Sequence, residues 1–341
     1  MNSGFGQITV PLKQMLCTIV SAWLLIAGTS VMAAGYEGFG ITAGGDRGPV
    51  VQVTSLADSG PGSLREAVKG GNRRIVFMRP GTIRLKKKLV VTRSNVTVDG
   101  WQGGVTVSGA PFVIEDSSDV IVRYIRFRNS KDDNLSILGK CRRIVIDHCS
   151  STGATDGALD ITLDYDKPKN RPSHITVSWC LFAGTKKAML IQGADNVSIH
   201  HNLFLKNDMR NPQLHDVKNF DFRNNLVQSW GIYGLRARAE TTGNVVFNVF
   251  GPGQNPRKSG DNALIIAGKS PGETAATAGP ICIAGNLGPP KSDLNRLSTN
   301  ARYLPVAKVR TWPANEVSAL LKKHAGAHPL DAKDKGLISG K

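Results

Sequence analysis

The chain has 341 residues, 43 Lys and Arg against 26 Asp and Glu, and a formal charge of +17 at pH 7. So basic a protein suits an anionic partner (nucleic acid, an anionic lipid surface or an acidic polysaccharide), unless the charge serves solubility alone. No nucleic-acid motif is present, aromatic residues are only 6%, and the five cysteines lack the close-paired spacings of a zinc site or a small disulfide scaffold.

Residues 1–34 read as a secretory signal. Lys13 precedes an apolar run over 15–31, and Ala33 and Ala34 supply a small-residue cleavage site. A membrane anchor is the alternative, but the run is short for a span and carries several Ser, Thr and Gly. Cleavage near Ala33 or Ala34 removes Lys13 as the only charged residue and leaves +16. The expected product is secreted, to the extracellular space or the periplasm, as a monomer with no membrane attachment.

Residues 35–50 are Gly-rich and read as an irregular lead-in. A short strand is expected at 50–53, then a turn over 58–63. Ser63 and Glu66 have the spacing of a capping box, so a two-turn helix should run to 68 or 69 and plug the open end of the first coil of strands. Further strands are expected at 75–77, 82–85 and 89–91.

From Val96 the sequence repeats. Trp101, Ile125, Cys149, Cys180, Asn202, Asn225 and Asn248 end similar segments, spaced by 24, 24, 31, 22, 23 and 23 residues. A fixed period of this length means stacked structural units. Within most segments apolar and polar residues alternate, as in a strand with one buried face. One coil of a parallel β-helix, with about three short strands, fits that period. The leucine spacing of a leucine-rich repeat is missing. Asn202, Asn225 and Asn248 then fall in one ladder of stacked amides. Cys149 and Cys180 occupy the same ladder as buried thiols, or as a disulfide if the compartment is oxidising. The 31-residue interval marks an insertion at 164–172, polar and punctuated by proline; such insertions become loops on one face of a solenoid. Beyond Asn248 the pattern weakens, with a loop-rich stretch at 251–280. A terminal helix at 315–324 is expected, with Val317, Leu320 and Leu321 on one face and Gly326 as its stop. Residues 35–341 read as a single body.

Four features share the coils around the insertion: Asp132-Asp133-Asn134, Asp156 with Asp160, Lys186-Lys187, and Arg210 with His215. Turns of similar phase in adjacent coils lie side by side, so these can share one groove. Asp132, Asp156 and Asp160, with the Asn134 amide, offer part of the six to eight oxygens a calcium ion takes. Solvated turn aspartates are the other reading.

On these residues the chain resembles the pectate lyases of polysaccharide lyase family 1. The resemblance rests on residues 54–67, on Ile146-Asp147-His148, on Asp156 through Asp160, and on Gly184 through Lys187. It continues through His200-His201-Asn202 to Arg210-Asn211-Pro212, and on to the tail at 324–327. It implies an all-β, right-handed, single-stranded parallel β-helix with short capping helices, and calcium-dependent β-elimination of polygalacturonate. Asp132, Asn134, Asp156 and Asp160 match the calcium-binding positions, with Asn in place of the family's second aspartate. Lys187 matches the lysine that binds the substrate carboxylate, and Arg210 the arginine assigned as base. The family's second arginine is here His215, a substrate contact cationic only when protonated.

The chemistry agrees with the residue types. An anionic uronate resists losing its C5 proton, and fixed positive charge from calcium and Lys187 offsets the developing charge. Two other functions are open: a non-catalytic β-helix that binds acidic polysaccharide, and a polygalacturonase-type hydrolase working through a carboxylate pair such as Asp132-Asp133. His148, His200 and His201 read as stacked strand side chains without a catalytic role.

Overall fold

The computed structural model describes residues 35–101, 104–254, 263–266, 280–288 and 309–340. The signal sequence expected at 1–34 lies outside the described residues. Short parallel strands wind into a β-solenoid of about nine turns. Each coil contributes one strand to each of three faces. Face A holds strands such as Ser118–Arg123, Arg142–Asp147 and Ser173–Ser178; face B holds Arg126–Arg128, Ser150–Thr152 and Leu181–Ala183; face C holds Phe112–Glu115, Leu135–Leu138 and Gly157–Thr162. Strands stack in parallel register on each face, for example Ile144 on Val120 and on Ile175. Two long strands, Lys187–His200 and Gln213–Arg223, turn the corner from face C to face A unbroken. Faces A and C thereby join in one 16-stranded sheet, leaving face B as an eight-stranded one.

The alternation read from the sequence sets this architecture. Val120, Val122, Ile144, Ile146, Ile175 and Val177 all point inward and are buried. Phe182, Phe204, Phe222 and Phe250 form an internal column, with successive ring centroids 5.2, 6.0 and 6.4 Å apart. Truncating one such ring costs about 3–5 kcal/mol.

The bend from face A to face B is built the same way in coil after coil. Tyr124, His148, Trp179, His201, Asn224 and Phe247 each have φ between 47° and 59°. That left-handed conformation is disfavoured for L residues. From Cys149 onward, the residue after each of these is tied by its amide to the side chain at the same place on the next coil. The Cys180 amide donates to Asn202 Oδ1, the Asn202 amide to Asn225 and the Asn225 amide to Asn248, each at 2.9 Å. Asn286 continues the ladder beyond the three asparagines read from the sequence, accepting from the Asn248 amide at 2.9 Å. Cys149 and Cys180 are buried free thiols, and the Cys149 amide donates to Cys180 Sγ at 3.3 Å.

Helix α1 (Leu64–Ala67) covers the first coil with Leu64 in the core. Ser63 caps it by accepting from the Glu66 amide, but Glu66 pairs with Lys69, so only half of the expected capping box forms. Helix α2 (Ala314–His324) packs Val317 and Leu321 on Leu181, Leu203 and Leu226 of face B. The tail then runs back along that face to α3 (Ala332–Ser339). The periodicity does not announce α3. It docks through Leu337 and Ile338, packed against the face-B cluster, and through buried Asp334, which accepts from Arg128 at 2.6 Å.

Candidate active site

The loops leading from face B to face C stack on one another like the strands they feed. The Asp156 amide donates to Asp132 O and the Met209 amide to Lys186 O, while Gly157 pairs in register with Lys187. This stacking brings together residues up to 78 positions apart in sequence.

The carboxylates of Asp132, Asp133 and Asp156 converge, with one oxygen from each lying within 4.8 Å of the others. Asp133 Oδ1 accepts from the Gly157 amide at 2.8 Å and Oδ2 from Ser136 Oγ at 3.2 Å. Asp160 stands just behind, with Oδ1 accepting from the Leu190 amide at 3.0 Å. Gly157 makes this crowding possible. A Cβ there would lie 2.6 Å from Asp160 Oδ1 and 2.7 Å from Asp133 Oδ1. Burial pushes Asp133 up to about 6, aided by the charges of Asp132 and Asp156. Burial also pushes Asp160 up to about 7, with Asp133 adding to the shift and the Leu190 amide and Arg210 opposing it. Like charges held this close are relieved by a proton or by a bound cation. All the donors are hard oxygens, so the residues fit calcium.

Asn134, expected in the same set, is turned into the coil and buried. Its Oδ1 accepts from the Ser130 amide at 3.0 Å, and its Nδ2 donates to Ser151 Oγ at 3.0 Å and Thr152 O at 3.1 Å. With both ends of its amide engaged, Asn134 braces the loop, and Asp133 takes its expected place beside Asp132 and Asp156. The adjacent Asp132-Asp133 pair was the available sequence signal.

The cations stand beside this cluster. Lys187 Nζ ion-pairs with Asp156 Oδ1. Arg210 Nη1 is 4.0 Å from Asp160 Oδ2. Arg210 has φ 61°, outside the repeating corner positions, and its carbonyl accepts from the Met189 amide at 2.7 Å. His215 lies one coil beyond Gln192 in an outward-facing row that runs Thr162, Gln192, His215, Arg238. The insertion loop leans over this row. Tyr165 donates to Gln192 Oε1 at 3.2 Å. Its hydroxyl is pushed up by burial first and then by the charge of Asp160, with Arg210 opposing. Arg171 anchors the loop on Asp195 and Asp216 at 3.0 and 2.7 Å. Insertion length gave no hint that an exposed tyrosine would reach the groove.

Fold and site together define a β-helix with an acidic cluster and two cations on the stacked loops between faces B and C. The pectate lyase family profile matches residues 12–265, and the chain belongs to that family. It is 34% identical over 258 residues to a probable pectate lyase C of Neosartorya fischeri, covering 72% of this chain and 56% of that protein. The chain thus spans just over half the length of this curated relative. Among solved structures it is similar to jun a 1, the major cedar pollen allergen, at TM-score 0.67 and 21% identity, covering 85% of this chain and 92% of that one. A pectate lyase of Bacillus sp. N165 in complex with trigalacturonate aligns at TM-score 0.63 and 15% identity, covering 86% and 98%. The family assignment gives no support to the hydrolase alternative.

Proposed function

We propose that the protein is an exported lyase that cleaves pectate, the de-esterified polygalacturonate of pectin, by β-elimination with calcium as cofactor. The observation that carries this reading is that Lys187 and Arg210 stand against the Asp132, Asp133, Asp156 and Asp160 cluster. Bound at that cluster, calcium would supply positive charge against the substrate carboxylate. Lys187 adds a second cation beside it. Arg210 stands as the base that takes the C5 proton of a uronate. The electron pair left behind forms the C4–C5 double bond, the C4–O4 bond breaks, and the leaving oxygen takes a proton from solvent. Arginine is a reluctant base, so the step calls for alkaline conditions.

Export rests on residues 1–34; among the described residues no helix is long and apolar enough to cross a membrane. The deciding assay is ultraviolet absorbance of unsaturated product from polygalacturonate, with and without chelator. Unsaturated product that disappears with chelator supports the reading. New reducing ends without unsaturation would indicate a hydrolase, and binding without any product would indicate a binding protein.

A further inference from the structure

The corner between faces A and B carries a column of aromatic rings with one end open. Trp179 stacks on His201 with centroids 4.5 Å apart, His148 lies 5.8 Å from Trp179, and Tyr124 lies 5.1 Å from His148. Trp101 closes the column edge-on to Tyr124 at 4.6 Å. Beyond Trp101 no further ring follows among the described residues, and the residue is 54% exposed. A depression of about 480 Å³ opens there, lined by Phe77, Met78, Arg79, Pro80, Arg74 and Asp99 along with Trp101. That volume is in the range of small-ligand sites, roughly 300–1,000 Å³. Met78 is 56% exposed beside the indole.

The charges in this depression are unequal. Asp99 is already held by Arg74 at 2.6 Å and by Arg123 at 2.8 Å. Arg79, exposed at the rim, has no carboxylate partner among the described residues. The depression therefore offers an indole, a thioether and an unpaired guanidinium. It lies at the turn between strands Arg73–Phe77 and Gly81–Arg84, whereas the lyase groove is built from the loops between faces B and C.

We propose that Trp101 and Arg79 form an accessory binding site for a uronate residue of an acidic polysaccharide, separate from the cleavage groove. The apolar face of a pyranose ring lies on the indole, as rings do on exposed aromatic faces. Its carboxylate pairs with the planar fork of Arg79. A neutral apolar ligand would leave Arg79 unused, and a free anion would leave Trp101 unused; a uronate uses both. The choice of polymer rests on the lyase reading above. A second contact of this kind raises retention on a long chain through effective concentration and adds little to the turnover of a short one.

The test is affinity electrophoresis in gels containing polygalacturonate, with chelator present to stop cleavage. Trp101→Ala and Arg79→Ala should each weaken retention about five-fold. Lys322→Ala, which removes one remote exposed charge, should leave retention unchanged. Turnover of short oligogalacturonates should be the same in all three variants and the wild type, and melting temperatures confirm that each variant folds. Unchanged retention in Trp101→Ala overturns the proposal. So does a Lys322→Ala loss as large as that of Arg79→Ala, since binding would then follow net charge alone. If short oligomers are not cleaved at all but retention still depends on Trp101, the lyase reading fails and the accessory site stands.

Discussion

His215 and Arg238 are register partners on adjacent parallel strands, in the same outward row as Gln192. The chain lacks an arginine at position 215, yet the same row carries one at Arg238, one inter-strand step of about 4.8 Å along the backbone ladder. We expect Arg238 to supply the anchoring charge that His215 lacks at alkaline pH. Arg238→Gln should raise KM about ten-fold with little change in kcat, the signature of a lost uniform binding contact. His215→Arg should raise kcat/KM at alkaline pH by about ten-fold at most, because two stacked cations repel each other. Steady-state kinetics on polygalacturonate checks both. A fall in kcat/KM for His215→Arg would mean that the histidine serves a different substrate.

Gly157 is the narrowest point of the acidic cluster. Gly157→Ala would drive its Cβ into the Asp133 and Asp160 oxygens, at 2.7 and 2.6 Å. Those oxygens already accept from the Gly157 and Leu190 amides, so the carboxylates must move. The expected outcome is a calcium requirement raised by about ten-fold or more, read by calorimetric calcium titration as well as by product formation. An unchanged requirement would mean that the cluster does not hold the cation.

Asp133 and its neighbour Asn134 should behave in opposite ways. Asp133→Asn removes a converging carboxylate and should raise the calcium requirement with little effect on melting temperature. Asn134→Ala strands several buried partners and should cost about 2–4 kcal/mol of stability while leaving the calcium requirement unchanged. If Asn134→Ala changes calcium affinity but not stability, the roles assigned to this pair are reversed.

That pair also shows where the sequence stops being legible. The period of 22 to 24 residues carried the coil, the Asn ladder and the insertion, because strand alternation leaves one possible inward set. In the loop at 129–134 no such alternation operates. Which of Asp133 and Asn134 turns inward depends on Ser130, Ser151 and Thr152, and two of those belong to the next coil. The ladder's last rung, Asn286, comes 38 residues after Asn248 and falls outside the period. Tyr165 was hidden because the length of an insertion says nothing about where its tip folds. Helix α3 was hidden because only Leu337 and Ile338, too few to form an apolar period, pack on face B, and the ion pair of Asp334 with Arg128 leaves no periodic mark.

The last expectation concerns acid. His200 and His201 are buried neighbours, with Nδ1 atoms 2.9 Å apart. Burial drives His200 down to about 4, with the Glu37 carbonyl and Asp147 opposing and Arg223 adding to the fall. Burial drives His201 further down, to about 2, helped by His200, Arg223 and Arg310. Unfolded, both imidazoles titrate near about 6.5. The unfolded chain therefore binds more protons than the folded one below that pH. The contribution of the neutral pair is complete above about 6.5 and is lost as pH falls, for His200 by about pH 4, at a cost on the order of 3 kcal/mol. Asp133 and Asp160 pull the other way: raised carboxyls lose stability as pH rises through their folded values, so acidification relieves them. The measurement must therefore compare denaturation midpoints of wild type and His200→Gln at pH 7.5 and pH 5, without divalent cations. The variant should lose distinctly less stability than the wild type between the two values. If both fall by the same amount, the buried histidines are not the acid-sensitive element of this fold.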